Sequence, residues 1–287
     1  MSKSALGRVA YLSWAARHLI GSDKSCPACG SSKGKMLKRK YLVTALYRCE
    51  DCQLMFRVPK SSKVESNAFY QEKYSEGFTT DCPDEALLGD LIKSSFKGTE
   101  KDYSTYLSVL HAVGLRTGQI IFDFGSSWGY GSWQFAQAGF RVYSHEISGP
   151  RARYASEKLG CWMVGDAEHI PERADCFFSA HVLEHLPNPG ALWETARRTL
   201  KPEGLMILFV PNGEPAREQK DSAYHKLWGQ THPLLLSADS LRIMGGQHGF
   251  EGHAYSSPYD LLQIERSRSG SLEGEELLFV ARRSTID

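Results

Sequence analysis

Residues 120–131 read Ile120-Ile-Phe-Asp123-Phe-Gly125-Ser-Ser-Trp-Gly129-Tyr-Gly131. An apolar run ends in an acidic residue and passes into a glycine-bearing turn. β-Branched and aromatic residues suit a buried strand, and glycine lets the backbone turn tightly against a ligand at a helix N-terminus. The spacing is not the dinucleotide fingerprint G-x-G-x-x-G, because three residues separate Gly125 from Gly129. An acidic strand end repels a diphosphate and suits a ligand with a cationic amino-acid portion. Twenty-one residues beyond Gly125, at the end of the next apolar run, stands Glu146, a position from which a carboxylate accepts hydrogen bonds from ribose hydroxyls.

Outward from this turn the pattern repeats. Strands are expected over 119–123, 141–145, 161–164, 175–180 and 204–210, with helices over 129–138, 149–159 and 189–200. Alternation of this kind predicts an α/β fold, a mostly parallel sheet with helices on both faces. A further helix over 238–249 and strands over 253–257 and 276–282 close the domain, which is assigned to 113–287. Residues 1–22 form an N-terminal helix that stops at Gly21, and 61–112 form a linker and a helical cap.

The cysteines define another unit. Seven are present, and four form Cys26-Pro-Ala-Cys29, nineteen intervening residues, and Cys49-Glu-Asp-Cys52. Two C-x-x-C knuckles at this distance bring four thiolates to one tetrahedral zinc ion. The residues between them suit strands, so 23–60 reads as a zinc ribbon. A closed four-thiolate site is structural rather than catalytic. Two disulfides are the competing use of these thiols; a cytoplasmic chain disfavours them. Cys82, Cys161 and Cys176 lack such partners and read as small buried side chains or a surface thiol.

The 287 residues are 41% hydrophobic and 23% charged, as in ordinary globular proteins. No apolar stretch approaches the ~18 residues of a membrane span. Arg8, Arg17 and His18 interrupt what would be a signal-peptide core, so a cytoplasmic location is expected. The net charge of +1 hides an asymmetry. Residues 1–65 carry 13 Lys and Arg against 4 Asp and Glu, whereas the remainder carries 21 against 29. A basic head on an acidic body implies either an anionic partner or docking of the head on the body.

At several places the chain resembles the class I S-adenosylmethionine-dependent methyltransferases. Asp123-Phe-Gly125-Ser-Ser-Trp-Gly129 is similar to their first motif, D-x-G-x-G-x-G, with Ser127 where the middle glycine usually stands. Glu146 matches the acidic ribose ligand. Gly165-Asp166-Ala167 resembles the segment facing adenine, and His181-Val-Leu-Glu184-His185-Leu-Pro the segment after the fourth strand. Leu200-Lys-Pro-Glu-Gly204 and Val210-Pro-Asn212 resemble the turn before the fifth strand and its end. The resemblance implies a Rossmann-like methyltransferase sheet, preceded here by the ribbon and cap, with S-adenosylmethionine held by Asp123, Gly125, Ser127, Gly129, Glu146, Asp166 and Ala167. A ribbon, then Phe69, Tyr70 and Tyr74, then this domain, is similar to bacterial enzymes of sugar, polysaccharide and natural-product pathways. It implies a small, anionic acceptor such as a nucleotide-linked sugar, with Tyr70, Tyr74, Asn212 and His232 as candidate contacts.

A hydroxyl, or a carbon beside a carbonyl, loses a proton on methylation, so His181 and His185 are candidate general bases. A second possibility is metallic. His181-x-x-Glu184-His185 with distant His232 resembles the E-x-x-E-H plus His that bind a divalent metal in small-RNA 2′-O-methyltransferases, except that His181 replaces the first Glu. Two other functions stand beside the small-molecule enzyme. One is an RNA methyltransferase whose Lys33, Lys35, Lys38, Arg39, Lys40 and Arg48 contact phosphates. The other is a non-catalytic binding module.

Overall fold

The computed structural model describes residues 3–68, 81–165, 170–267 and 272–284. Tyr70 and Tyr74, and likewise Asp166 and Ala167, lie outside the described residues.

The chain begins with helix α1 (Lys3–Leu19) and the ribbon strands β1 (Gly34–Lys40), β2 (Thr44–Cys49) and β3 (Met55–Val58). These strands form an antiparallel meander with β1 at its exposed edge. Helices α2 (Lys63–Ala68), α3 (Glu85–Lys93) and α4 (Ser104–Ala112) then lead to the main domain. Asp84 caps α3, its carboxylate accepting from the Leu87 amide, which satisfies one of the orphan donors of the first turn.

The main sheet contains β4 (Ile120–Phe124), β5 (Arg141–His145), β6 (Trp162–Met163), β7 (Ala174–Ala180), β8 (Leu200–Pro211), β10 (Phe250–Ser256) and β11 (Glu276–Arg283). Their spatial order is β10-β11-β8-β7-β4-β5-β6. Strands β4 to β8 run parallel, while β11 pairs antiparallel with both β8 and β10. This is the mostly parallel sheet expected from the alternating pattern. Strand β8 begins at Leu200 rather than 204, because Leu200 already pairs with Ala174 ahead of an irregularity in the ladder.

Helices α5 (Tyr130–Gln137), α6 (Gly149–Leu159), α7 (Gly190–Thr199), α8 (Ala238–Gln247) and α9 (Leu261–Glu265) cover the sheet. Successive strand residues point to opposite faces. Phe122, Phe177, Met206 and Leu208 therefore pack with Trp193 and Ala196 of α7 and with Leu241 and Met244 of α8. Ile121, Phe178, Ile207 and Phe209 pack with Val109 and Leu110 of α4, Phe135 of α5 and Ile264 of α9. Each such large apolar side chain contributes about 1.5–3 kcal/mol on burial. Phe96, following α3, seals Trp128 of the glycine turn, and both rings are fully buried.

Two strands lie outside the sequence expectation, β3, which follows the second knuckle rather than lying between the two, and β9 (Leu234–Leu235). Strand β9 pairs with β3 and makes the ribbon sheet four-stranded. Cys26, Cys49, Cys52, Leu54 and Phe56 also share a continuous core with the main sheet, so the ribbon is docked on the body.

Candidate active site

The carboxyl ends of β4, β5 and β7 bring the first cluster together, where open α/β sheets bind ligands. Gly125 adopts φ +86°, and its amide and that of Ser126 both donate to the His145 carbonyl. Ser127 is also left-handed, φ +51°, a conformation costing a non-glycine residue about 1–2 kcal/mol. Its amide donates to Glu146 Oε2 at 2.9 Å, and the Ser148 amide donates to Oε1 at 2.7 Å. Glu146 thus closes the turn from the next strand while its carboxylate faces the same edge. Gly129, φ +90°, starts α5.

Asp123 sits beneath this turn and is buried. The Ser132 hydroxyl donates to its Oδ2 at 2.5 Å, and Ser144 donates to Ser132 at 2.8 Å. Burial pushes its carboxyl up to about 7; the charge of Glu146 adds to the rise and the Ser132 hydroxyl opposes it. Ser126 and Ser127 each carry a buried hydroxyl without a hydrogen-bond partner. Unsatisfied buried polar atoms on a turn with left-handed backbone mark a polar ligand site. Asp123, Gly125, Ser127, Gly129 and Glu146 therefore fit the amino-acid and ribose portions of S-adenosylmethionine.

The second cluster follows β7. His181 is left-handed, φ +55°, with its side chain about half exposed (46%). Its Nε2 lies 2.6 Å from Glu276 Oε1, and its Nδ1 lies 3.5 Å from Glu184 Oε1. Tyr106 and Tyr259 donate their hydroxyls to Glu276 at 2.8 and 2.5 Å. Partial burial works against a charge on His181, but the Glu184 and Glu276 carboxylates outweigh it and hold its pKa well above the usual imidazole range. This geometry seats His181 between two carboxylates, which favour its protonated form. Glu276, Tyr106 and Tyr259 were missed in the sequence. The one available signal was that an antiparallel strand opening on Glu276 must begin at the edge where parallel strands end.

Glu184 is buried, 2% exposed, and neither of its carboxylate oxygens accepts a hydrogen bond. The His185 Nδ1–H donates to the Thr231 carbonyl at 2.9 Å, which leaves Nε2 as the acceptor nitrogen, 3.9 Å from Glu184 Oε1. Burial pushes His185 down to about 4, with the neighbouring His232 adding to the fall and Glu184 opposing it. The His185 and His232 rings lie 4.6 Å apart, and one ligand atom each from Glu184, His185 and His232 falls within 4.8 Å of the others. Two imidazoles and a buried carboxylate with free lone pairs fit a divalent cation.

Asn212, a candidate acceptor contact in the sequence, lies just past the end of β8. It is fully buried, and its amide nitrogen donates to the carbonyls of Leu272 and Gly274, while its oxygen accepts from the Glu214 amide. With its hydrogen-bonding groups engaged, it braces the chain entering β11.

In the ribbon, Cys26 and Cys52 have Sγ atoms 3.4 Å apart and Cys29 and Cys49 3.6 Å, with all four within 4.8 Å. Four thiolates around one zinc ion stand ~3.8 Å apart, so the donor set fits that ion. Two of the six residues of the basic cluster are tied to the body. Lys38 pairs with Glu218, and Lys40 donates to the carbonyls of His225 and Trp228 while covering the Trp228 ring. Burial pulls Lys40 down to about 8.

Residues 122–208 match the family described as methyltransferase domain. An uncharacterized methyltransferase of Mycobacterium leprae is 33% identical over 99 residues, 32% of this chain and 36% of that protein. The chain thus aligns with about a third of the length of the curated relatives it matches. The fold is similar to that of magnesium protoporphyrin IX methyltransferase from Synechocystis with bound SAH, with TM-score 0.51 and 17% identity over 78% of this chain and 100% of that one. Residues 122–208 thus match a methyltransferase domain, and the main sheet has the fold of a solved methyltransferase. Among the described residues no helix is long and apolar enough to cross a membrane.

Proposed function

We propose that the chain is an S-adenosylmethionine-dependent methyltransferase whose acceptor is a small molecule of the sugar or nucleotide-linked sugar class, methylated on oxygen or carbon. One observation carries the enzymatic reading. The Asp123–Ser127 turn with Glu146, and the His181–Glu184–His185 turn, lie side by side at the carboxyl edge of adjacent strands β4 and β7. When bound, S-adenosylmethionine supplies a sulfonium-borne methyl group for in-line displacement, so alignment is the protein's main task. Glu146 and the serine-bearing turn hold the cofactor. His181, cationic and half exposed, orients an acceptor oxygen, and Glu276 with its two tyrosines holds His181 in place.

Glu184, His185 and His232 hold a divalent cation in the same reading, because a buried carboxylate whose oxygens accept no hydrogen bond lies with two imidazoles in one compact donor set. Such an ion supplies Lewis acidity that favours loss of an acceptor proton. Zinc in the ribbon is structural. The sugar class is supported by the sequence resemblance alone. The RNA alternative loses support from Lys38 and Lys40, whose amino groups engage the body.

The test is transfer of radiolabelled methyl from S-adenosylmethionine by zinc-loaded protein into host extract, with and without nuclease, and with Asp123→Ala as control. Label in small metabolites that survives nuclease supports the proposal. Label confined to nuclease-sensitive polymer favours RNA, and failure to bind S-adenosylhomocysteine in calorimetry favours a non-catalytic module.

A further inference from the structure

The segment 229–235 has the ribbon on one side and the histidine cluster on the other. On the ribbon side, β9 pairs with β3 through Met55↔Leu235 and Phe56↔Leu234, and the Arg57 amide donates to the Pro233 carbonyl at 2.8 Å. The Arg57 side chain is 1% exposed. Its Nη1 reaches the carbonyls of Gly229 at 3.2 Å and Gln230 at 3.5 Å. Nε donates to the Pro59 carbonyl and Nη2 to the Ser61 hydroxyl. The rings of Trp14 and Tyr11 in α1 lie 4.9 and 5.7 Å from the guanidinium. On the other side, the next two residues do the work: Thr231 accepts from His185 Nδ1, and His232 stands against the His185 ring.

We propose that Arg57 is a positioning residue for the acceptor side of the site, and that zinc in the ribbon sets Arg57. The inference rests on the reading that acceptors meet the His185–His232 cluster. A guanidinium carries five N–H donors in a fixed fork, so it grips two consecutive carbonyls and two further groups at once; a lysine ammonium is a point charge on a flexible stem. The fork holds Gly229 and Gln230, and the backbone carries that constraint one and two residues onward to Thr231 and His232. Zinc enters because β3 starts three residues after Cys52, and the Cys49 amide donates to the Leu54 carbonyl across that knuckle. Without the ion the four thiols lose their common ligand, and small thiolate-bound zinc units loosen when the metal leaves. The ribbon is then more than a neighbouring module, because metal occupancy at the four cysteines reaches the two histidines through one arginine.

The experiment uses the full zinc-loaded chain with 15N-labelled histidine. Ring correlations of His185 and His232, and solvent exchange of the His185 Nδ1 proton, are recorded for the wild type, for Arg57→Lys, and with zinc removal from the ribbon alone by Cys52→Ser, since a chelator would also empty the Glu184–His185–His232 group. Zinc content and S-adenosylhomocysteine affinity are measured on each. The expected result is a joint displacement of both histidine signals and at least tenfold faster Nδ1 exchange in the lysine variant and after zinc removal. The lysine variant keeps one zinc per chain, and its S-adenosylhomocysteine affinity stays within twofold. Unchanged histidine signals in either case overturn the proposal. So does a lysine variant that loses zinc or cofactor affinity along with those signals, since that reports general collapse. A wild-type chain that never binds S-adenosylhomocysteine sinks the methyltransferase reading instead, while the histidine signals still decide this one.

Discussion

Val182 lies directly over Gly125. A Cβ built on Gly125 would approach Val182 Cγ2 to 2.3 Å, so the two turns at the carboxyl edge of β4 and β7 are in van der Waals contact through a missing side chain. The glycine is required twice, once for its left-handed backbone and once for this contact. Gly125→Ala is expected to push the 181–185 turn away from the cofactor turn. S-adenosylhomocysteine affinity should fall at least tenfold by calorimetry, and chemical denaturation should show a loss of about 1–3 kcal/mol.

Asp123 gives the protein a pH-dependent stability whose sign follows from burial. Its carboxyl is raised from 3.8 to about 7 in the fold, with Ser132, Glu146 and the more distant Cys161 thiol around it. Between those values the unfolded chain is ionised there and the folded chain is not. The contribution is therefore fully present below pH 4 and is lost as pH rises through 7. Asp123→Asn removes the titration, so its stability relative to wild type should improve by about 3 kcal/mol between pH 5 and pH 8. Urea melts of both proteins at four pH values measure the gap, and parallel curves would contradict the expectation.

Removal of one zinc ligand should cost more than an ordinary buried side chain. Cys52 is fully buried in the core shared by the ribbon and the main sheet. Cys52→Ser is expected to reduce bound zinc from one equivalent to a small fraction and to lower stability by several kcal/mol. Mass-spectrometric metal analysis with calorimetric melting tests it; full zinc retention would show that the four cysteines do not share one ion.

Glu276→Gln should return His181 toward the ordinary imidazole range, because one of the two carboxylates that outweigh its burial is gone. Proton NMR titration of His181 reads the fall. The same change leaves the Tyr106 and Tyr259 hydroxyls with a weaker acceptor, at a cost of about 1–2 kcal/mol.

The parts of this molecule that were legible in sequence are those with local patterns. Asp123 through Gly129 reads as strand and turn because apolar run, acid and glycines are contiguous, and the two C-x-x-C knuckles read as one site because their spacing alone constrains them. Glu184, His185 and His232 were legible as candidate ligands, but the missing hydrogen bonds on Glu184 are a tertiary fact. Glu276 was hidden because only the strand order places the start of β11 beside His181. Leu234 and Leu235 are two leucines after a proline, with no period to mark a strand; their pairing is imposed by the edge of β3. The link from Arg57 to Gly229 spans 172 residues, and no local signal reports it.

The late strand β9 also fixes an order of assembly. Its partner β3 leaves the ribosome about 175 residues earlier, so the ribbon can collect its metal through the cysteines at 26, 29, 49 and 52 long before its fourth strand exists. During that interval the edge of β3, with Met55 and Phe56, is open to other chains. Closing a loop that long costs only slightly more than closing one half its length, so the delay is a hazard of exposure rather than of stability. A chain stopped before Leu234 is consequently expected to keep its zinc and still aggregate, through an edge that the finished protein covers with its own strand.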